Sequence, residues 1–161
     1  MPEVGEYLVG AYLKLIDGCD FVDYNVRAPG GGLTGLEELD VVGLRFKDRT
    51  AFLCEATSHL WGVRGKTPEK VLERARKKYQ RQQNYARLHL PQFTPTYMMW
   101  SPVVPVGYLT HELQSIDGLT LVINGEYKRR VDALLKKAKV ERQETGNPVF
   151  RLFQILGALR E

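Results

Sequence analysis

Two acidic side chains interrupt apolar stretches of the sequence that otherwise have the pattern of buried β-strands. Asp40 lies near the start of LDVVGL, and Glu55 lies near the end of AFLCEA. Burial of an unpaired carboxylate costs on the order of several kcal/mol even after the surrounding structure relaxes. The pattern therefore indicates that a positive charge shares the site with these two acids.

The spacing of the two acids places them on neighbouring strands of one hairpin. Candidate strands at 39–46 and 50–57 are joined by the charged turn KDR, and side chains alternate along a strand, so Asp40 and Glu55 meet at one end of the sheet. Two adjacent carboxylates repel each other unless a cation lies between them. Hard oxygen ligands, with the backbone carbonyl of Ala56 as a third, suit Mg²⁺ or Mn²⁺.

A helix is predicted at the start of the chain, because apolar residues recur there at helical spacing up to Ile16. Glu6 lies at the rim of this apolar arc, beside Val9 and Leu13. That position suits a third metal ligand, but it equally suits a surface glutamate near a helix N-terminus. The sequence leaves both interpretations open.

This arrangement resembles the PD-(D/E)XK nuclease superfamily, whose acid-(x)14-E-x-K pattern lies on a hairpin after a helix that carries another Glu. Asp40 matches the metal-binding Asp, Glu55 matches the (D/E), and Glu6 matches the helix Glu. The resemblance covers roughly residues 4–90. It implies a mixed sheet of four or five strands flanked by helices, and Mg²⁺-dependent hydrolysis of phosphodiester bonds.

The chain departs from the family pattern two residues after Glu55, where Thr57 replaces the motif lysine. Threonine can hydrogen-bond water or phosphate, but it supplies no positive charge. In some members of the family the lysine lies on the following helix instead. Lys78 is the predicted substitute in this chain, with Lys77 and Lys66 as reserves.

A long helix is predicted from Pro68, with Thr67 as its N-cap, to about Leu90. One face of it should pack on the sheet, and two polar residues interrupt this face. The face consists of Val71, Ala75, Lys78, Gln82 and Tyr85. A snorkelling lysine with its ammonium in water is the alternative to a catalytic role for Lys78.

Positive charge is concentrated after residue 60. The first 60 residues contain 5 Lys and Arg against 10 Asp and Glu, and the remainder contains 18 against 9. An acidic half that binds cations beside a basic half that binds phosphate is typical of a metal-dependent enzyme acting on nucleic acid. A solvated helix face is the alternative. The candidate phosphate contacts are Arg64, Lys66, Lys70, Arg74, Lys77 and Arg81.

Several other features have ordinary explanations beside functional ones. The glycine-rich loop GGGLTG (30–35) lacks the Lys-Ser/Thr of a phosphate-binding loop. His59 is either a base or an ordinary loop histidine, and Trp61 either stacks on a base or lies at the rim of the core. The last helix carries an apolar stripe that predicts core packing or a dimer contact: Val149, Leu152, Phe153 and Leu156.

The complete pattern predicts one α/β domain over 1–161, with a core at about 4–123, helices at about 126–160 and the order α-β-β-β-α-β-α-β-α-α. Thr110 is predicted to cap the third helix. Cys19 and Cys54 are predicted to be free buried thiols, which suits the cytoplasm. No apolar run is long enough to span a membrane, and no Cys/His spacing suggests zinc.

We therefore expect a Mg²⁺- or Mn²⁺-dependent DNA endonuclease. A homodimer is compatible with this activity, because cutting two strands commonly uses two sites. One alternative retains the fold without catalysis, as a nucleic-acid-binding or assembly module. A second alternative is an α/β domain whose basic helices bind an acidic protein.

Overall fold

The computed structural model describes residues 1–29, 38–60 and 66–160. Its helices and strands follow the predicted order and confirm an α/β fold. They are α1 (Val4–Leu15), β1 (Phe21–Arg27), β2 (Glu38–Arg45), β3 (Thr50–Ala56), α2 (Pro68–His89), β4 (Thr94–Ser101), α3 (Tyr108–Gln114), β5 (Leu119–Ile123), α4 (Asn124–Val140) and α5 (Pro148–Ala158).

The strands form one mixed sheet in the order β1-β2-β3-β4-β5. Strands β1, β2 and β3 pair antiparallel, and β3, β4 and β5 pair parallel. Parallel neighbours require a crossover connection, which α2 supplies between β3 and β4 and α3 supplies between β4 and β5. The change from antiparallel to parallel pairing falls at β3, the strand that carries Glu55.

Alternate residues of the strands pack into separate cores on the two faces of the sheet. Cys54, Trp100 and Val122 pack with α1, α4 and α5 on one face. Leu53 and Ile123 belong to clusters on the other face, where α2 and α3 lie. Because side chains alternate along a strand, Glu55 faces the α2 side.

The alternation is interrupted near the beginning of β2. Tyr24 and Val41 pair across β1 and β2 and pack on the α1 side, whereas the next pair, Val26 and Leu39, packs on the α2 side. Between the two pairs, Asn25 has a φ of 52°, a left-handed conformation that asparagine tolerates better than most residues. The irregularity therefore falls beside the first acid of the hairpin.

The start of α3 differs from the prediction that Thr110 caps it. The helix begins at Tyr108, and the Thr110 hydroxyl is 3.0 Å from both the amide nitrogen and the carbonyl oxygen of Gly107. Gly107 has a φ of 126°, which favours glycine and allows the helix to begin three residues earlier than predicted. Thr110 thus stabilises the helix from its third position.

The stripe of the last helix is only partly core. Phe150 is fully buried, and Val149 and Phe153 are half-buried against α1 and α4, but Leu152 and Leu156 are exposed. Asn147 begins the helix by accepting a hydrogen bond from the Phe150 amide at 3.0 Å, which turns Phe150 into the core. The predicted spacing was therefore correct for a helix, and core packing is confirmed for Val149 and Phe153 but not for Leu152 and Leu156.

Both cysteines are buried and free, as predicted. Burial raises the pKa of the Cys19 thiol to about 12 and that of Cys54 well above its usual value. No helix within the described ranges is both long enough and apolar enough to cross a membrane.

Candidate active site

A cleft of about 610 Å³ contains the predicted acids and the predicted lysine. It lies on the α2 side of the sheet, where β2, β3 and the first turn of α1 meet. Its polar half is lined by Glu3, Glu6, Asp40, Glu55, Ala56, Thr57, His59, Lys66, Arg74 and Lys78. Residues far apart in the sequence are therefore brought together as the strand and helix spacings predict.

Lys78 lies with its ammonium group between the two acids of the hairpin. Its Nζ donates to Glu55 Oε2 and is 3.8 Å from Asp40 Oδ2. The side chain is only 28% exposed, so this lysine is not extended into solvent. Lys78 thus supplies the site with a positive charge that Thr57 does not, from the helix that follows β3.

Asp40 closes the open end of the hairpin. Its Oδ2 accepts a hydrogen bond of 2.8 Å from the amide of Ala56, the residue after Glu55. This bond fixes the carboxylate beside the end of β3, at the point where regular pairing of β2 with β3 has ended. Asp40 and Glu55 are consequently held in one place by backbone geometry.

Glu55 is the most deeply buried acid of the cleft, with 4% of its surface exposed. Its pKa is raised to about 7, mainly because burial disfavours the charged form, while Lys78 lowers it and Asp40 raises it. Its Oε1 has no hydrogen-bond partner in the described part of the chain. One oxygen of Glu55 is thus available to a ligand.

Gln82 lies one turn beyond Lys78 on the same face of α2 and is 1% exposed. Its Nε2 donates to the carbonyls of Leu53 and Met98, both at 3.0 Å, and so ties the helix to β3 and β4. Its Oε1 is buried and has no partner among the described residues. The sequence showed Gln82 as a polar interruption of an apolar stripe, but not these contacts.

Glu6 is buried, and it lines the same cleft. Its Oε2 accepts a hydrogen bond of 2.9 Å from the Glu3 amide, which begins α1. The pKa of Glu6 is raised, first by burial and then by the charges of Asp40 and Glu3, against the lowering effects of the Glu3 amide and the Asn25 side chain. The predicted place near a helix N-terminus is therefore confirmed, but Glu6 does not lie on the surface.

The three acids do not form a complete set of metal ligands in the described residues. Within 1–29, 38–60 and 66–160, no group of three or more His, Cys, Asp or Glu side chains is arranged to hold a metal ion. Glu6 already bonds its own helix terminus, which keeps one of its oxygens from a direct ligand position. The two acids of the hairpin remain as the possible side-chain ligands.

Thr57 lies at the wall of the cleft and is held by the end of the sheet. Its amide donates to the Trp100 carbonyl at 3.0 Å, and its hydroxyl accepts from the His59 amide at 3.3 Å. A Cβ on Gly5 would lie 3.3 Å from the Thr57 carbonyl, so glycine allows α1 to approach this strand end closely. His59 is exposed beside the site.

Two of the predicted phosphate contacts lie at the cleft itself. Lys66 and Arg74 line it and are exposed, whereas Lys70 is exposed but is not among the lining residues that the structure describes. Arg64, Trp61 and the loop at 30–35 lie outside the described residues. Among the predicted phosphate contacts that the structure describes, Lys66 and Arg74 are thus the ones that line the cleft beside the two acids.

The remaining predicted contacts have other neighbours. Lys77 pairs with Glu73 at 2.8 Å, one turn before it on α2, and lines a separate depression, so it cannot replace Lys78 as the cation of the site. Arg81 is half-buried and donates to the Glu38 carbonyl at 3.3 Å. Lys77 is adjacent to Lys78 in sequence and so faces away from the acids, whereas Arg81 is held at the start of β2 by the Glu38 carbonyl.

Comparison of the chain with models of protein families, with curated proteins and with solved structures gave no match. The geometry of the cleft is therefore the basis for any assignment of function.

Proposed function

We propose that the chain is a Mg²⁺- or Mn²⁺-dependent endonuclease that hydrolyses the phosphodiester bonds of DNA, as a small member of the PD-(D/E)XK superfamily. The observation that carries this proposal is the position of the Lys78 ammonium against Glu55 and Asp40. A buried Glu55 and a half-buried Asp40, with a lysine from the next helix, reproduce the charges of the family motif despite Thr57.

The residues present suit a hard divalent cation. Asp40 and Glu55 offer carboxylate oxygens, Glu55 Oε1 is buried without a partner in the described chain, and the carbonyl of Ala56 directly follows Glu55 in sequence. Mg²⁺ retains several waters and commonly binds only one or two protein carboxylates. Glu6 then contributes through water. Such a metal supplies an activated water and neutralises charge that develops on the phosphate.

The protein side chains have separate roles in this proposal. The Lys78 ammonium, which lies between the two acids, would orient the attacking water and contact a phosphate oxygen. The Thr57 hydroxyl hydrogen-bonds water or phosphate, and Lys66 and Arg74 hold the DNA backbone through charge-assisted hydrogen bonds. The buried free thiols suit a reducing compartment, so we place the activity in the cytoplasm.

One alternative has an observation in its favour. The ion pair with Lys78 already neutralises Glu55, and a third side-chain ligand is lacking in the part of the chain that the structure describes. A fold that binds nucleic acid without cutting it would have these properties. Binding of an acidic protein by the basic helices is a further alternative.

The decisive experiment is cleavage of supercoiled plasmid and of branched DNA in the presence of Mn²⁺. The variants Asp40→Asn and Glu55→Gln keep the size of each side chain, and Asp132→Asn on α4 serves as a control of equal charge change outside the cleft. We expect cleavage by the wild type and by the control, and loss of at least about a hundredfold in the two site variants. Cleavage that survives in both site variants would refute the assigned site. Intact DNA binding without any cleavage would favour the non-catalytic alternative.

A further inference from the structure

The cleft continues beyond the acids onto an apolar floor that phosphate chemistry does not require. This floor is formed by Val71, Met99, Leu109, Leu113 and Leu119, contributed by α2, β4, α3 and β5. The total of about 610 Å³ lies within the range of pockets that enclose small organic ligands. A phosphate group and a hydrated cation leave the apolar part unexplained.

The aromatic side chain of Tyr79 makes this floor suitable for binding a second aromatic ring. Tyr79 lies in the wall, where its ring packs edge-on against Tyr97 at 5.4 Å and its hydroxyl donates to the Asp117 carbonyl at 2.9 Å. These contacts fix the ring in place. A fixed aromatic ring beside apolar side chains is the kind of surface on which nucleobases stack.

Gln82 adds a polar contact to the same cleft. Because its Nε2 is held by two strand carbonyls, its Oε1 cannot exchange places with the nitrogen, and it remains a buried acceptor without a partner in the described chain. An N–H donor would satisfy it. Every DNA base carries an N–H group on its Watson–Crick edge, and in a duplex that group is already bonded to the complementary strand.

The burial of Glu55 also restricts how DNA can enter the cleft. Glu55 is 4% exposed, so a phosphate that reaches it must enter the cleft, and the base attached to that phosphate must enter with it or fold back. A base that is stacked and paired in a duplex cannot reach the apolar floor. A strand with an unpaired nucleotide can place its phosphate at the acids and its base on the floor.

We propose that the cleft binds an unpaired nucleotide with its base on the apolar floor, so that the substrates are DNA strands with single-stranded or extrahelical nucleotides. This inference rests on the proposed function, because it assigns the substrate class of the same site. Apolar contact with Val71 and Tyr79, together with a hydrogen bond to Gln82 Oε1, selects unpaired bases over paired ones.

The test uses three labelled hairpin DNAs that differ at one position. The first has a bulged 2-aminopurine, the second has the same base paired with thymine, and the third has an abasic site at the bulge. Binding is measured by fluorescence anisotropy and by 2-aminopurine emission in EDTA, which prevents cleavage. Cleavage of the same DNAs in Mn²⁺ is measured separately.

We expect the bulged base to bind about tenfold more tightly than the paired base, and the abasic site to lose this gain. Val71→Phe fills the floor, so it should weaken the binding of the bulged DNA about tenfold and leave the binding of the other two DNAs unchanged. Leu135→Phe, at an exposed position of α4 on the other face of the sheet, should keep the preference. Equal affinity for the three DNAs, or equal weakening of all three by Val71→Phe, would overturn the inference.

The two proposals fail in different ways. Preference for the bulged base without any cleavage supports this inference and refutes hydrolysis. Cleavage in Mn²⁺ without that preference refutes this inference and leaves the proposed hydrolysis intact. Failure of all three DNAs to bind in EDTA, together with failure of all three to be cleaved in Mn²⁺, refutes both.

Discussion

At the scale of single residues, the pair formed by Lys78 and Glu55 carries the proposed chemistry. Lys78→Met keeps the length of the side chain and removes its charge, so we expect the cleavage rate to fall by at least about a hundredfold. Lys77→Met is the matched control, because Lys77 pairs with Glu73 and does not face the acids. Initial rates on supercoiled plasmid in Mn²⁺ measure the effect. Equal rates for the two variants would exclude Lys78 from catalysis.

Glu55 should also make the stability of the metal-free protein depend on pH. Its pKa is raised from an ordinary value of 4.5 to about 7, so the folded state holds this proton more tightly than the unfolded state does. The resulting stabilisation is complete below about pH 4.5 and is lost as the pH rises through about 7, a loss of about 3 kcal/mol.

Urea unfolding of the wild type and of Glu55→Gln at several pH values tests this expectation. The difference in unfolding free energy between the two proteins should change by about 3 kcal/mol in favour of the variant between about pH 4 and pH 8. Parallel pH curves would show that the pKa of Glu55 is not raised. Saturating Mg²⁺ should reduce the change if the ion binds Glu55, because a cation lowers the pKa of its ligand.

The sequence was sufficient to find the residues whose position follows from local periodicity. Strand alternation placed Asp40 and Glu55 together, and helical spacing placed Lys78 on the face that packs on the sheet. It could not determine whether Glu6 is buried, because that depends on the close approach of Gly5 to another strand and on the unusual backbone of Asn25. Those contacts join parts of the chain that no local pattern connects.

At the scale of elements, Gln82 determines how α2 lies on the sheet and therefore where Lys78 points. Gln82→Glu replaces the donor to two strand carbonyls with a buried acceptor, so we expect a loss of about 3 kcal/mol in unfolding free energy. Gln83→Glu, on the exposed side of the same helix, should change it by no more than about 0.5 kcal/mol. Urea unfolding compares them directly, and similar losses would contradict the anchoring role.

The start of a helix was predictable where a typical capping residue marks it. Thr67 and Pro68 begin α2 as expected, with the Thr67 hydroxyl accepting from the Lys70 amide at 3.4 Å. The predicted start of α3 was wrong because Gly107 has a positive φ, which the local sequence does not indicate. Capping residues define an end locally, whereas a positive φ depends on the path of the chain around it.

At the scale of the whole molecule, the two faces of the sheet are covered by different helices. Helices α1, α4 and α5 cover one face with the larger core, and α2 and α3 cover the other face beside the cleft. The apolar floor combines α2, α3, β4 and β5, so it appears only when the parallel strands are assembled. No pattern within one element could have predicted it, although the type and order of the elements were predicted correctly.

The uneven charge of the chain should appear in the salt dependence of DNA binding. Lys66 and Arg74 line the cleft, so each phosphate contact they make releases counterions. Lys66→Ala and Arg74→Ala should each weaken binding and reduce the slope of log affinity against log salt by about one. Lys136→Ala removes an equal charge from α4 on the other face of the sheet and should leave the slope unchanged. Titrations of labelled DNA at several salt concentrations measure these slopes. If all three variants change the slope equally, binding follows the net charge of the protein and does not use the cleft.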